Sequence, residues 1–251
     1  DPYATDACGG DNSCLCEDPF ISVSGQCLHK DDIGALQDMI DNSMSSGYDF
    51  DCYDVNDPWC QSPNIYMDDQ DNWHSIAIDG MYLQASNGNG IVEPLELGLQ
   101  EWTNGRLTSL MCGAYIYCNL SGEIPNSISD LAEIEVLRLE VNYFSGYVPD
   151  SICELDNLNY NDYLAFDLSY NQLCPPYPDC IPDSAVNYMQ TEDCAEIGDI
   201  NLDGSINVLD VVMLVSSILE GASLPEGDIN GDSATNVLDV VMLVSMILEG
   251  I

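Results

Sequence analysis

Residues 198–221 read GDINLDGSINVLDVVMLVSSILEG, and residues 227–250 read GDINGDSATNVLDVVMLVSMILEG, at an offset of 29. So close a duplication restricts the fold sharply. Both copies must take the same local structure, and two such short units are expected to bury their apolar faces on each other. Each copy opens with oxygen-bearing side chains and runs on into an apolar segment of helical length. The first supplies Asp199, Asn201, Asp203, Asn207 and Asp210; the second supplies Asp228, Asn230, Asp232, Asn236 and Asp239. These are positions 1, 3, 5, 9 and 12 of a calcium loop, with main-chain carbonyls expected from Ser205 and Ala234 at position 7. Calcium takes six to eight hard oxygens, and a twelve-residue loop wraps them round one ion. Two Ca2+ ions are therefore expected, in 199–210 and 228–239. Magnesium, with its small octahedral shell, suits so many protein oxygens less well. Gly204 permits the sharp turn at position 6, where Ser233 of the second copy is expected to strain it. Asp rather than Glu closes each loop, and bidentate closure is still open to it. A single loop would be read equally well as a helix-capping turn without an ion; two complete ones favour calcium.

A weaker third loop is ASNGNGIVEPLE (85–96). Asn87, Asn89, Gly90, Val92 and Glu96 fall on positions 3, 5, 6, 8 and 12, but Ala85 leaves position 1 without a ligand. It reads as a turn or a degenerate site. Acidic clusters at Asp49, Asp51, Asp54, Asp57 and at Asp68, Asp69, Asp71 read as solvated faces.

Charge sets the next limits. Among 251 residues there are 44 Asp and Glu against Lys30, Arg106 and Arg138, a formal net charge of −41. Nucleic acid and anionic membrane surfaces are bound through Lys and Arg, so both are excluded as partners. A hydrophobic content of 46% separates the chain from disordered acidic tails. The longest strictly apolar run, Val211 to Val215, is too short for membrane insertion. Twelve cysteines, several of them close in sequence, favour disulfides and an extracellular or cell-surface setting. Zinc is disfavoured, since there is no paired CxxC and only His29 and His74. A chain that opens on Asp1 with no signal-peptide pattern is expected to be a processed product.

By texture the chain divides into a Cys-rich, disulfide-stapled segment (1–30), a region with a short helical pattern at Ile33, Leu36, Met39 and Ile40 (31–106), a periodic region (107–197) and the duplicated module (198–251). In the periodic region Leu110, Gly113, Tyr115, Cys118, Leu120, Gly122, Ile124, Pro125, Ile128 and Leu131 align with Ile134, Leu137, Leu139, Asn142, Phe144, Gly146, Val148, Pro149, Ile152 and Leu155. Tyr163, Phe166, Leu168, Asn171 and Leu173 form an altered third copy behind a polar insertion. Such a period predicts stacked strand-plus-turn coils with apolar residues inside. Asn142 and Asn171 are expected to satisfy main-chain groups where the coils turn. LSGEIPNSISDL (120–131) and FSGYVPDSICEL (144–155) resemble the leucine-rich repeat family in its LSGxIP subtype. That resemblance implies a binding or scaffold solenoid. It also implies an N-terminal cap ending at WTNGRLTSL and a closing turn QLCPPYPDCI stapled by Cys174 and Cys180; Cys112–Cys118 is expected too, since each of these pairs is local and lies within one coil. Gly113 departs from it, standing where the family has an inward Leu.

The tandem loop-plus-helix module resembles the dockerin family, which implies calcium-dependent folding and docking into a cohesin-like domain. Val208, Leu209, Val237 and Leu238 depart from the polar or mixed residues often found there. The expected fold class is α+β: a short leucine-rich-repeat solenoid with a Cys-rich N-terminal cap, then a small all-α, EF-hand-like calcium module. No nucleophile elbow, phosphate loop or dinucleotide fingerprint is present, and carboxylate pairs prove nothing in so acidic a chain. The chain is expected to be non-enzymatic. Two roles stay open, docking to a protein partner and self-assembly with copies of itself into a filament or surface layer; a polysaccharide-associated enzyme component is a further alternative. A glycan is a further partner class, and Asn119-Leu120-Ser121 is a glycosylation sequon.

Overall fold

The structure, a computed structural model, describes residues 4–8, 14–52, 57–69, 76–113, 115–191, 194, 196–201, 205–222, 224–232 and 234–249. They fall into two units, Asp1–Leu173 with Asp179–Gln190, and Cys174–Pro178 with Thr191–Ile251. The fold class is α+β.

The first unit begins with two antiparallel pairs, β1 (Ala4–Cys8) with β2 (Cys14–Cys16), and β3 (Phe20–Val23) with β4 (Gln26–His29). Ser24 and Gly25, between β3 and β4, both have left-handed φ (48° and 80°). That is the two-residue turn whose twist matches the flanking strands. Helix α1 (Lys30–Ser45) follows, with Asp31 and Asp32 in its first turn, where the helix dipole favours them. Its buried face is Ala35, Leu36, Met39, Ile40 and Ser43; Ile33, expected inside, is only half-buried.

Next come β5 (Ile76–Ile78), β6 (Met81–Leu83), β7 (Leu99–Thr103), β8 (Arg106–Met111), β9 (Ser121–Gly122), β10 (Val136–Arg138), β11 (Tyr143–Tyr147), β12 (Phe166–Asp167) and β13 (Gln172–Cys174). One sheet runs β12-β10-β8-β7-β5-β6, and a second runs β13-β11-β9. Within the first, β8, β10 and β12 are parallel, with Leu110 beside Leu137 and Leu137 beside Phe166. Short 3-10 turns at Asn126–Asp130 and Asp150–Glu154 carry Ile128 and Ile152 back into the core. The core between the strand rows and these turns is made of Leu120, Ile124, Leu131, Leu139, Phe144, Leu155, Leu168 and Leu173 with their neighbours. The predicted apolar period is therefore a real inward set. Tyr115 and Tyr163 are exceptions, being 80% and 69% exposed.

Asn142 and Asn171 do the main-chain work expected of them. The Asn142 amide donates to the Cys112 and Leu139 carbonyls (2.6 and 3.0 Å), and its Oδ1 accepts from Leu120 N. Asn171 repeats this one coil on, with the Leu139 and Leu168 carbonyls and Phe144 N. Gly113 is not an inward position. Continuing the β8–β10 register, Cys112 stands beside Leu139 and is fully buried. A Cβ on Gly113 would lie 2.2 Å from the Glu140 carboxyl, so glycine is what leaves that carboxyl its space.

The disulfides include Cys16–Cys27, Cys52–Cys60 and the expected Cys112–Cys118. The expected Cys174–Cys180 link is absent. Cys180 pairs with Cys153, 27 residues away, and Cys174 with Cys194, 20 away. The closing turn is thus anchored to the turn at Asp150–Glu154, and Cys174–Cys194 lies within the second unit.

The second unit is built on α2 (Val208–Glu220) and α3 (Val237–Glu249). Ile200, Leu214 and Leu243 form its buried centre, flanked by Ile206, Val211, Ile218, Leu224, Ile229, Val240 and Ile247. The duplication shows in the packing. Leu243 of α3 lies 3.0 Å from where a Cβ on Gly198 would be, and Leu214 of α2 lies 2.7 Å from the same point on Gly227. Each copy thus seats its helix leucine against the glycine that opens the other loop.

Candidate calcium loops and docking faces

Each loop is drawn around the carboxylate at its position 12. Asp210 is fully buried. Its Oδ1 accepts from Ile200 N (2.9 Å) and Asn201 N (3.1 Å), and its Oδ2 from Asn207 N (2.7 Å). Asp239, equally buried, accepts from Asn230 N (3.2 Å) and Asn236 N (2.8 Å). These bonds fold the start of each loop back over the first turn of the following helix. Asn207 and Asn236 cap α2 and α3 by accepting from Leu209 N and Leu238 N, both at 2.9 Å. Their amides donate to the Ser205 and Ala234 carbonyls (2.8 and 2.6 Å). The capping arrangement and the calcium spacing therefore use the same asparagines. In the second loop Asp228 Oδ1 accepts from Asp232 N (3.1 Å), and Asn230 Oδ1 from the same N–H (2.9 Å). Asp203, Gly204 and Ser233 lie outside the described residues.

Among the described residues no three His, Cys, Asp or Glu side chains converge as a metal cluster. The donors here are a mixture of Asp, Asn and main-chain carbonyls, all hard oxygens. Asp199, Asp210, Asp228 and Asp239 are all at least nine-tenths buried. No Lys or Arg occurs anywhere in 198–251. Buried carboxylates without a cationic side chain are costly, and a hard divalent ion is what this donor set fits.

The helices are apolar on the outside as well. Val208, Val212, Val215 and Leu219 run along α2 at 4-3-4 spacing, and Val237, Val241, Val244 and Leu248 repeat the stripe on α3. All eight are exposed, Leu219 and Leu248 by about 82% and 81%. Leu209, Met213, Leu238 and Met242 widen each stripe. Contiguous exposed aliphatic surface of this kind marks an interaction site. Glu220 and Glu249 sit at the helix C-termini, with no basic residue in either last turn.

Residues 197–248 match the Dockerin type I domain. The second unit therefore carries a dockerin-like module, and calcium binding and docking to a cohesin domain are general properties of such domains. A Nodulation receptor kinase of Pisum sativum is 29% identical over 77 residues, which are 31% of this chain and 6% of that protein. The chain thus spans only a small part of that relative's length.

The remaining candidates are placed as follows. The 85–96 loop finds in Asp68 the carboxylate that Ala85 could not supply. Asp68 Oδ1 accepts from Gly88 N (2.7 Å) and Oδ2 from Gly90 N (2.6 Å). Glu96 accepts from Asn87 N (3.1 Å) and Glu93 N (2.8 Å), and it shares a hydrogen bond with Asp68. Burial, with the Asp68 charge adding to it, pushes the Glu96 carboxyl up to about 7 against the opposing main-chain donors. Asp68 itself lies below the usual carboxylate range, because its main-chain bonds from Gly90 and Gly88 outweigh its burial. The loop is thus closed by a carboxyl–carboxylate pair. Asp68 is no solvated surface acid; it is almost fully buried. Asp49 and Asp57 cap local turns, while Asp54, Asp71 and His74 lie outside the described residues. Asn119 of the sequon is buried, and its amide donates to the Trp59 carbonyl at 3.0 Å. No described helix is long and apolar enough to cross a membrane.

Proposed function

We propose that this chain is a secreted or cell-surface, non-enzymatic docking protein. Its dockerin-like module plugs into a cohesin domain, and its N-terminal unit is a leucine-rich-repeat scaffold. The observation that carries the docking reading is the pair of exposed aliphatic stripes on α2 and α3, each rooted in a loop with the calcium donor set. Calcium supplies the positive charge that lets the buried carboxylates of each loop sit together. Asp210 and Asp239 then hold their loops against the helices, and Asn207 and Asn236 start those helices in the right register. The partner face is expected to be aliphatic with a basic rim, since Glu220 and Glu249 stand where the helix dipole is already negative. The scaffold reading is supported by the parallel strands β8, β10 and β12 and by the Asn142 and Asn171 ladders. Self-assembly through the same faces is opposed by the charge of −41.

The test is binding of the full chain to a panel of immobilised cohesin domains in calcium and in EGTA, with light scattering on the chain alone. Saturable binding in calcium, lost in EGTA, with monodisperse chain, is expected. Calcium-dependent filaments of the chain alone, with no cohesin bound, would overturn docking in favour of assembly.

A further inference from the structure

The sequence contains four Asn-Gly steps: Asn87-Gly88, Asn89-Gly90, Asn104-Gly105 and Asn230-Gly231. Such a step ages by cyclisation when the glycine nitrogen reaches the asparagine side-chain carbon, because glycine offers no side chain to obstruct the approach. The fold treats the four differently. Gly88 N and Gly90 N are both held on the buried Asp68 carboxylate, at 2.7 and 2.6 Å. Gly105 is itself buried, packed within 3 Å of the Cys27 carbonyl and the Phe20 ring at the point where a Cβ would stand. Gly231 has nothing within 4 Å of that point. It has a left-handed φ of 69° and stands in an exposed part of the second loop.

The Asn230 side chain is also activated. Its Oδ1 accepts from Asp232 N at 2.9 Å, and its Nδ2 donates to Asp232 Oδ2 at 2.9 Å. An N–H on the carbonyl oxygen stabilises the oxyanion that forms there on attack. Asp232 Oδ2, accepting from Nδ2, holds the carboxamide in that orientation, and the departing nitrogen takes its proton from water. The first loop has Leu202 after Asn201, whose branched side chain hinders the same attack.

We propose that Asn230-Gly231 is a self-modification site, a spontaneous deamidation clock in the second loop that calcium stops. Gly231 N loses its proton to water and forms a bond to Asn230 Cγ; the Cγ–Nδ2 bond breaks and ammonia leaves. Water then opens the resulting succinimide at one of its two carbonyls, leaving an aspartyl or an isoaspartyl residue at position 230. The isoaspartyl product reroutes the main chain through the side chain and disrupts the loop. Ligation of Asn230 fixes the side-chain torsions that attack requires, so only the calcium-free fraction reacts. This protection rests on the calcium reading above; the order of reactivity among the four steps does not.

The full chain is incubated at mildly alkaline pH with calcium or with EGTA, and peptides are mapped by mass spectrometry with isoaspartyl detection. Calcium binding by the fresh protein is measured separately by calorimetry. In EGTA, Asn230 is expected to deamidate before Asn87, Asn89, Asn104 and Asn201. Calcium at about 100 times its Kd is expected to slow it about 100-fold. Gly231→Ala is expected to suppress the reaction, with its calcium affinity read by the same calorimetry because a φ of 69° strains a side chain there. Faster reaction at another step in EGTA would overturn the site. An unchanged or faster rate in calcium, in a protein that calorimetry shows to be loaded, would overturn the protection. A fresh protein that binds no calcium would instead remove the calcium reading and leave the order of reactivity to stand or fall alone.

Discussion

The Arg106 guanidinium holds the Asp32 carboxylate at two points, Nε at 2.8 Å and Nη2 at 2.7 Å. Asp32 is fully buried in the first turn of α1, and Leu107 N completes its coordination at 2.8 Å. One of three cationic side chains in the chain thus fastens α1 to β8. Hydrogen bonding to Asp32 raises the Arg106 pKa further, so the guanidinium stays charged across ordinary pH. Arg106→Ala leaves a buried carboxylate uncompensated, and a loss of about 3–5 kcal/mol is expected in urea unfolding of the N-terminal unit. Arg106→Lys restores charge without the two-point fork and is expected to recover only part of it. An Arg106→Ala chain as stable as the parent would show that α1 is held by its apolar face alone.

Glu96 gives the fold a specific pH dependence. Its folded value of about 7 lies above the ordinary 4.5. Between those values the folded chain keeps a proton that the unfolded chain releases, so stability falls as pH rises from 4.5 and the loss is complete above about 7. Asp68, shifted down, acts in the opposite sense and only at the acid end, below its ordinary 3.8. Glu96→Gln removes the titration. The slope of melting temperature against pH in the window from 4.5 to about 7 is expected to flatten in that variant. An unaltered slope would assign it to other carboxylates.

What the sequence made legible was local. Apart from Ile33, Tyr115 and Tyr163, the α1 spacing, the inward apolar period and the Asn142 and Asn171 positions appear where the pattern puts them, because each depends on residues close in sequence. The Asn207 and Asn236 caps and the buried Asp210 and Asp239 carboxylates are local in the same way. Pairings across long separations were not. Nothing near Ala85 announces that Asp68 supplies the missing carboxylate, and nothing near Asp32 points to Arg106. The Cys174–Cys180 expectation failed because nearness in sequence ignores which turns the fold brings together. Some signals were present and unused. Asp79-Gly80 and Asn104-Gly105 have left-handed φ pairs and make the β5–β6 and β7–β8 hairpins, and their dipeptides are hairpin signals.

The Cys153–Cys180 bond closes a 27-residue loop around the third strand row. Chain-entropy reasoning gives such a cross-link about 3.5 kcal/mol. Non-reducing peptide maps are expected to recover Cys153 with Cys180 and Cys174 with Cys194. Replacing Cys153 and Cys180 together by Ala is expected to lower the melting temperature of the N-terminal unit and leave the C-terminal transition in place. A map that returned Cys174 joined to Cys180 would restore the single-coil closing turn.

The two aliphatic stripes are near copies, which gives docking a distinctive mutational pattern. Val212 and Val241 occupy equivalent exposed positions at the middle of α2 and α3, pointing away from Leu214 and Leu243. A carboxylate at either position buries an unpaired charge against an apolar partner face, a cost of about 2 kcal/mol or more, equivalent to about 30-fold in affinity. If each stripe can serve on its own, Val212→Asp or Val241→Asp alone leaves one intact face and is expected to reduce affinity only about twofold by halving the binding modes. The double variant is expected to lose the full factor. Calorimetry against a cohesin domain in calcium checks this, with the fresh variants' calcium-dependent melting as the folding control. A single substitution that abolishes binding would show that both stripes meet the partner at once.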